Sequence, residues 1–261
     1  AMGITILVGQ KIGEKRPEQA GDVIGSGICL FGVLAAVLTV LMILGAGFLA
    51  GLMHAPDEAF SQTVDYIRIC SAGAVFIIAY NVLGSIFRGI GDSRMPLFTV
   101  AAACVFNIGG DLLLVAGFHM GAAGAALATV AAQAASVLLS LAVIRRRTLP
   151  FTIGKKNLRF ERRLVGRILA LGTPIALQDL LVSISFLVIL AIVNSMGVIA
   201  SAGVGVAEKL CAFIMLVASA YMQSMSAFVA QNMGAGKPER AKRALLYGIG
   251  RRRNGFVLEN K

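Results

Sequence analysis

The sequence predicts an all-α membrane protein, a polytopic helix bundle. Three observations carry this. Apolar residues make up 57% of the chain and charged residues 14%, against about 25% charged in an ordinary soluble domain. Several runs exceed the ~18 apolar residues that indicate a membrane span. The basic residues collect between those runs: 21 of the 24 Lys and Arg lie in four segments. That placement also decides what the net charge of +11 means. On a soluble domain it would suggest nucleic acid; here the partner it implies is the lipid bilayer, and no nucleic acid is expected. The four cysteines, Cys29, Cys70, Cys104 and Cys211, stand singly in apolar runs. Their spacing supports neither a metal site nor a disulfide framework.

The chain begins inside an apolar run with no charged leader, so no signal peptide is read and an upstream part is expected to be missing. Residues 1–10 read as the last turns of a helix, followed by a basic loop over 11–22. Residues 23–53 carry no charge over 31 positions, longer than the ~20 a helix needs to cross, so this helix must tilt or project. His54, Pro56, Asp57 and Glu58 end it. The next span is 65–87, with Arg68 near its outer end, and FRGIGDSRMP at 87–96 makes a tight turn. Residues 95–118 and 120–144 give two more spans around a short turn at His119–Gly121. The Gly and Ala of GAAGAALATVAAQAA allow close helix approach. Segment 145–167 holds nine Lys or Arg, and LRFERRLVGR at 158–167 reads as an amphipathic surface helix. Residues 168–194 and 198–231 are the last two spans, with a turn at Gly197, and RRRNGFVLENK reads as an unstructured end.

One stretch occurs twice. GQKIGEKRPEQA at 9–20 and AQNMGAGKPERA at 230–241 share five of twelve positions, Gln10/Gln231, Gly13/Gly234, Pro17/Pro238, Glu18/Glu239 and Ala20/Ala241, at an offset of 221. Such a long period suits the parallel repeats of transporters. Lys and Arg in successive loops number 3, 0, 2, 0, 9, 0 and 7. The positive-inside rule puts both copies, the FRGIGDSRMP turn and the 145–167 segment on the cytoplasmic side. Six spans separate the copies, so the repeat unit is a six-helix bundle. The expected division is 1–145 as an N-terminal lobe lacking its first helix, 146–163 as a basic cytoplasmic linker, and 164–261 as the start of a C-terminal lobe.

The two repeated loops, FRGIGDSRMPL, NIGGDLLLVAGFHMGAAGAALAT and LGTPIALQDLL, in that order and spacing, resemble the multidrug and toxic-compound extrusion (MATE) family of cation-coupled exporters. The resemblance covers residues 1–250 as helices two to eight of a twelve-helix, two-lobed fold. It implies a secondary active transporter in a bacterial inner membrane, exporting organic, often cationic, compounds or drugs by antiport with sodium or protons. It implies a small-molecule organic substrate, no cofactor beyond the coupling ion, and a fragment that is inactive without the missing helices. A branch of the family places a Glu in helix seven where this chain has Val182. A lipid or polysaccharide flippase of related architecture is the alternative. Its larger, basic cavity fits poorly with Lys and Arg confined to loops. An enzyme is not expected: His54 and His119 lie in outer loops, there is no GxSxG, HExxH or DDxxD, and no catalytic or metal-ligating set is present.

Ionisable groups at membrane depth are functional candidates by default. Asp179 stands about 11 residues into its helix, roughly 16 Å deep at ~1.5 Å per residue, with Pro174 below it and Gln178 beside it. It is read as a proton-exchanging group or, alternatively, as a carboxylate bonded to a neighbouring helix. Asn107 and Asp111 share a helix face one turn apart. Their oxygens suit sodium or a proton relay, or else an interhelical clasp. Gln133, Asn81 and Tyr80 are further candidates to line the pathway. Glu208 and Lys209 read most simply as a local ion pair, and the repeated loops as structural, with gating as the other reading.

Overall fold

A computed structural model describes the backbone of residues 1–52, 57–147, 150–151, 154, 157–196 and 198–257. The regular structure of the described chain is helical: α1 (Met2–Gly13), α2 (Pro17–Leu52), α3 (Asp57–Ala72), α4 (Ala74–Ile90), α5 (Arg94–Asp111), α6 (Gly121–Arg146), α7 (Arg162–Ser195), α8 (Val198–Gly234) and α9 (Pro238–Val257). A π-helical turn, Leu112–Gly117, extends α5. Five of these helices are long and apolar enough to cross a membrane, and α3 with α4, bent by 48° between them, are together long and apolar enough for a sixth span. These are the six spans that hydropathy predicts. The bend falls at Ser71–Ala72–Gly73, where small residues let a helix break, and Gly73 lies against Val130 of α6 with no room for a Cβ.

The two repeat copies fold alike to the level of single hydrogen bonds. In the first, the N–H groups of Glu14, Lys15 and Arg16 donate to the carbonyls of Gln10, Ile12 and Lys11. In the second, those of Ala235, Gly236 and Lys237 donate to Gln231, Met233 and Asn232. Lys15 and Gly236 occupy the same left-handed position, at φ 57° and 66°. Pro17 and Pro238 open the next helix, where a missing N–H removes no helical bond. The basic loop expected over 11–22 is therefore only Glu14–Arg16, because proline at the first helical position starts α2 early.

Three other expectations are corrected. Residues 158–167 do not form a separate surface helix: Arg162–Arg167 are the first turns of α7, and 158–161 lead into it without helix. The end of the chain is not unstructured as far as Val257, since α9 runs through RRRNGFV. Glu208 and Lys209 are both exposed ten and eleven residues into α8 and form no ion pair. Among the described residues the ion pairs are Lys11–Glu14 and Arg147–Asp92, and neighbours in sequence on a helix point apart. The calls on His54, Pro56 and Gly197 fall outside the described residues.

The main apolar core joins α1, α2, α4 and α7 through Ile4, Leu7, Val8, Val23, Ile24, Val82, Ile86 and Ile168, with Phe151 of the α6–α7 connection inserted among them. That connection is tied to α2 as well. Asn157 donates to the Asp22 carboxylate (2.8 Å), and Ser26 donates to the Arg159 carbonyl (3.0 Å). All four basic segments thus gather at one end of the bundle, as the alternation of charge requires.

Candidate transport site

The α5–α6 seam carries a line of polar groups through the bundle. A Cβ added to Gly110 would lie 2.9 Å from the Ala128 methyl, so the helices run close enough for side chains to bond across. Ser136 donates to the Thr99 carbonyl at 3.0 Å, and Asn107 reaches Thr129 Oγ1 at 3.4 Å. Asp111, one turn beyond Asn107, lies where α-helix gives way to π-helix. Its Oδ1 is buried with no hydrogen-bond donor. Gln133, one turn from Thr129, likewise buries its Oε1 without a partner. The seam thus holds two acceptor oxygens that lack donors, in a place where an unmatched acceptor costs about 1–3 kcal/mol.

The other candidates lie elsewhere. Asn81 on α4 is exposed and spends its amide on the Ile77 carbonyl at 2.8 Å. Tyr80 is half-buried, close to Arg88. Asp179 and Gln178 are exposed on α7, which packs on α1, α2 and α8 rather than on α5 or α6. The structure therefore groups Asn107, Asp111 and Gln133 along one seam and leaves Asp179 apart. Thr129 was missed from sequence. Its signal was its spacing of four from Gln133, antiparallel to the spacing of four between Asn107 and Asp111.

A second feature joins the two repeat copies. Gly13 packs on the Gln231 carbonyl and Gly234 packs on the Gln10 carbonyl. The contact is reciprocal, as a two-fold relation between equivalent segments demands. Gly9 and Ala230 extend it, with 3.1 Å left for a Cβ on Gly9 against the Ala230 Cβ. The Gln231 side chain then donates to the Gly89 carbonyl at 2.9 Å, tying α8 to the α4–α5 turn. Beside this crossing, a cavity of about 490 Å³ opens between that turn and α8.

Five long apolar helices with a sixth bent pair, joined through a reciprocal repeat, define a polytopic helical membrane protein. The sequence model of the MatE family matches residues 1–113 and 174–250, and the chain belongs to that family. It is 29% identical over 254 residues to the probable multidrug resistance protein YoeA of Bacillus subtilis (strain 168), covering 95% of this chain and 55% of that protein. It is 28% identical over 256 residues to an FAD transporter of Shewanella oneidensis, covering 95% and 56%. In fold it matches a MOP superfamily transporter from Pyrococcus furiosus with a TM-score of 0.85 at 24% identity, covering 95% of this chain and 56% of that one. The chain spans about half the length of the curated relatives it matches.

Proposed function

We propose that this chain supplies one lobe, residues 1–145, and the start of a second, 164–261, of a secondary active exporter of organic compounds driven by sodium or proton antiport. The observation that carries the reading is the half-buried Asp111 carboxylate, one turn along α5 from the Asn107–Thr129 contact, whose Oδ1 is buried and lacks a donor. A single carboxylate with amide and hydroxyl oxygens suits a proton or a monovalent cation. No group of three or more His, Cys, Asp or Glu that could hold a metal occurs among the described residues. The names of the multidrug and FAD-transporting relatives support organic export. Asp179 and Gln178, exposed on α7, would then line the substrate pathway at the second lobe. Alternating access follows if one lobe rocks on the other about the Gly13/Gly234 crossing.

The test is a thermal-unfolding comparison in 100 mM sodium chloride and 100 mM potassium chloride at two pH values, paired with ethidium export from everted vesicles that hold the complete two-lobed transporter. For sodium coupling, sodium stabilises the wild type and not Asp111→Asn. For proton coupling, only the pH dependence disappears. Either way export by Asp111→Asn falls at least tenfold. Undiminished export together with an unchanged ion and pH response would remove Asp111 from the mechanism.

A further inference from the structure

Arg88 ends α4 in the turn FRGIGDSRMP, where a basic residue should point to water as the exposed Arg94 does. It does not. Its side chain folds back along α4 into the bundle. Nη1 comes within 3.2 Å of the Cβ position of Gly84, Nη2 donates to Ser85 Oγ at 3.1 Å, and its charge reaches the Tyr80 phenol two turns up. Nε is buried with no partner. The nearest carboxylate in sequence, Asp92, is engaged elsewhere. It accepts from Arg147 at 3.1 Å and from the N–H groups of Arg94 and Met95 at 3.0 and 3.2 Å. Among the described residues no carboxylate meets Arg88. A half-buried guanidinium has five donors and is ordinarily found against an anion.

Arg88 lines the cavity of about 490 Å³ between the α4–α5 turn and α8. That volume falls in the ligand-site range of ~300–1,000 Å³. Of the polar groups that share it, Ser93, Gln223 and Ser224 can donate hydrogen bonds, Gln231 spends its amide N–H on the Gly89 carbonyl, and no carboxylate is in the lining. Leu97 and Phe228 supply an apolar wall. We infer that this cavity binds an amphiphilic anion, its phosphate on Arg88 and its apolar body against Leu97 and Phe228. The inference rests on the export reading and adds an anionic class of substrate beside the cationic one. The same phosphate chemistry could come from a lipid headgroup in place of a soluble compound.

The experiment measures calorimetric binding to the purified protein in phosphatidylcholine nanodiscs. The probes are 1-naphthyl phosphate, 1-naphthol and 1-naphthylmethylamine, which keep the aromatic body and change only the charge. Naphthyl phosphate is expected to bind at least tenfold more weakly to Arg88→Gln, with Arg88→Lys between, and naphthylmethylamine to bind both alike. Gln223→Leu, away from the α4 core, should weaken the phosphate severalfold and serves if Arg88→Gln does not fold. In phosphatidylglycerol nanodiscs, Arg88-dependent competition would identify the lipid as the source, and its absence a soluble anion. Equal naphthyl phosphate binding by wild type and folded Arg88→Gln overturns the proposal. If the amine still binds, only the anion reading fails; if no probe binds, the export reading fails with it.

Discussion

At the residue scale, the informative groups are those whose chemistry is left unmatched. Asp111 Oδ1 and Gln133 Oε1 are acceptors without donors, and Arg88 Nε is a donor without an acceptor. Each sits where the chain could have placed an apolar side chain at lower cost. The paired charges at the basic end behave differently. Arg147 meets Asp92 at 3.1 Å, but its side chain is 56% exposed, and pairs of that kind contribute only about 0.2–1 kcal/mol. Arg147→Ala should therefore lower stability by no more than about 1 kcal/mol in detergent unfolding. A loss several times larger would show that the contact holds the α6 end and the α4–α5 turn together. Asn107, Asp111 and Gln133 were legible from sequence as polar residues in apolar runs. Arg88 was not, because a residue in a loop motif gives no sign of which way its side chain folds.

At the element scale, the repeat is a unit of backbone geometry. Both copies need a left-handed residue two positions after the helix-ending glycine, and the first copy uses Lys15 where the second uses Gly236. A side chain in that conformation is strained by roughly 1 kcal/mol. No atom lies within 4 Å of a Cβ placed on Gly236, so strain alone decides the outcome. Gly236→Ala should lower stability by about 1 kcal/mol, and Lys15→Gly should raise it by about 0.5 kcal/mol. Chemical-denaturant midpoints of the two variants, moving in opposite directions, check this; a shared sign would contradict the equivalence of the turns. Hydropathy located every span but could not see the 48° bend between α3 and α4, since the apolar run from Ile69 onward continues across Gly73 without a break. Nor could it separate a surface helix over 158–167 from the first turns of α7, because basic residues at a membrane surface look alike in either.

At the scale of the whole molecule, the crossing of α1 and α8 is where movement of one lobe on the other would be felt. Gly9 and Ala230 bring their Cβ positions to 3.1 Å, near the ~3.5–4.5 Å a disulfide needs. In a background with the four native cysteines replaced, Gly9→Cys with Ala230→Cys should cross-link on mild oxidation and arrest export. Reduction should restore it. Efficient cross-linking with export unchanged would show that the two copies do not separate during transport. Introducing Leu at Gly13 or Gly234 should have a graded effect of the same kind, since each glycine packs directly on a backbone carbonyl of the other copy.

The sequence by itself determined the class, the apolar spans, the gathering of the basic segments and the repeat. Each of these is written in one dimension, as the length of apolar runs, the alternation of Lys and Arg, and a 221-residue offset. Only the tertiary structure decided which polar groups stand together. It put Asn107 beside Thr129 and left Asp179 on an exposed face of α7. It also turned two distant, similar loops into one reciprocal contact, and folded Arg88 inward to a cavity. The physical reason is that hydrophobic burial sets which segments enter the membrane and is read residue by residue. Hydrogen bonding and close packing set which helices touch, and they depend on pairs of residues far apart in the chain.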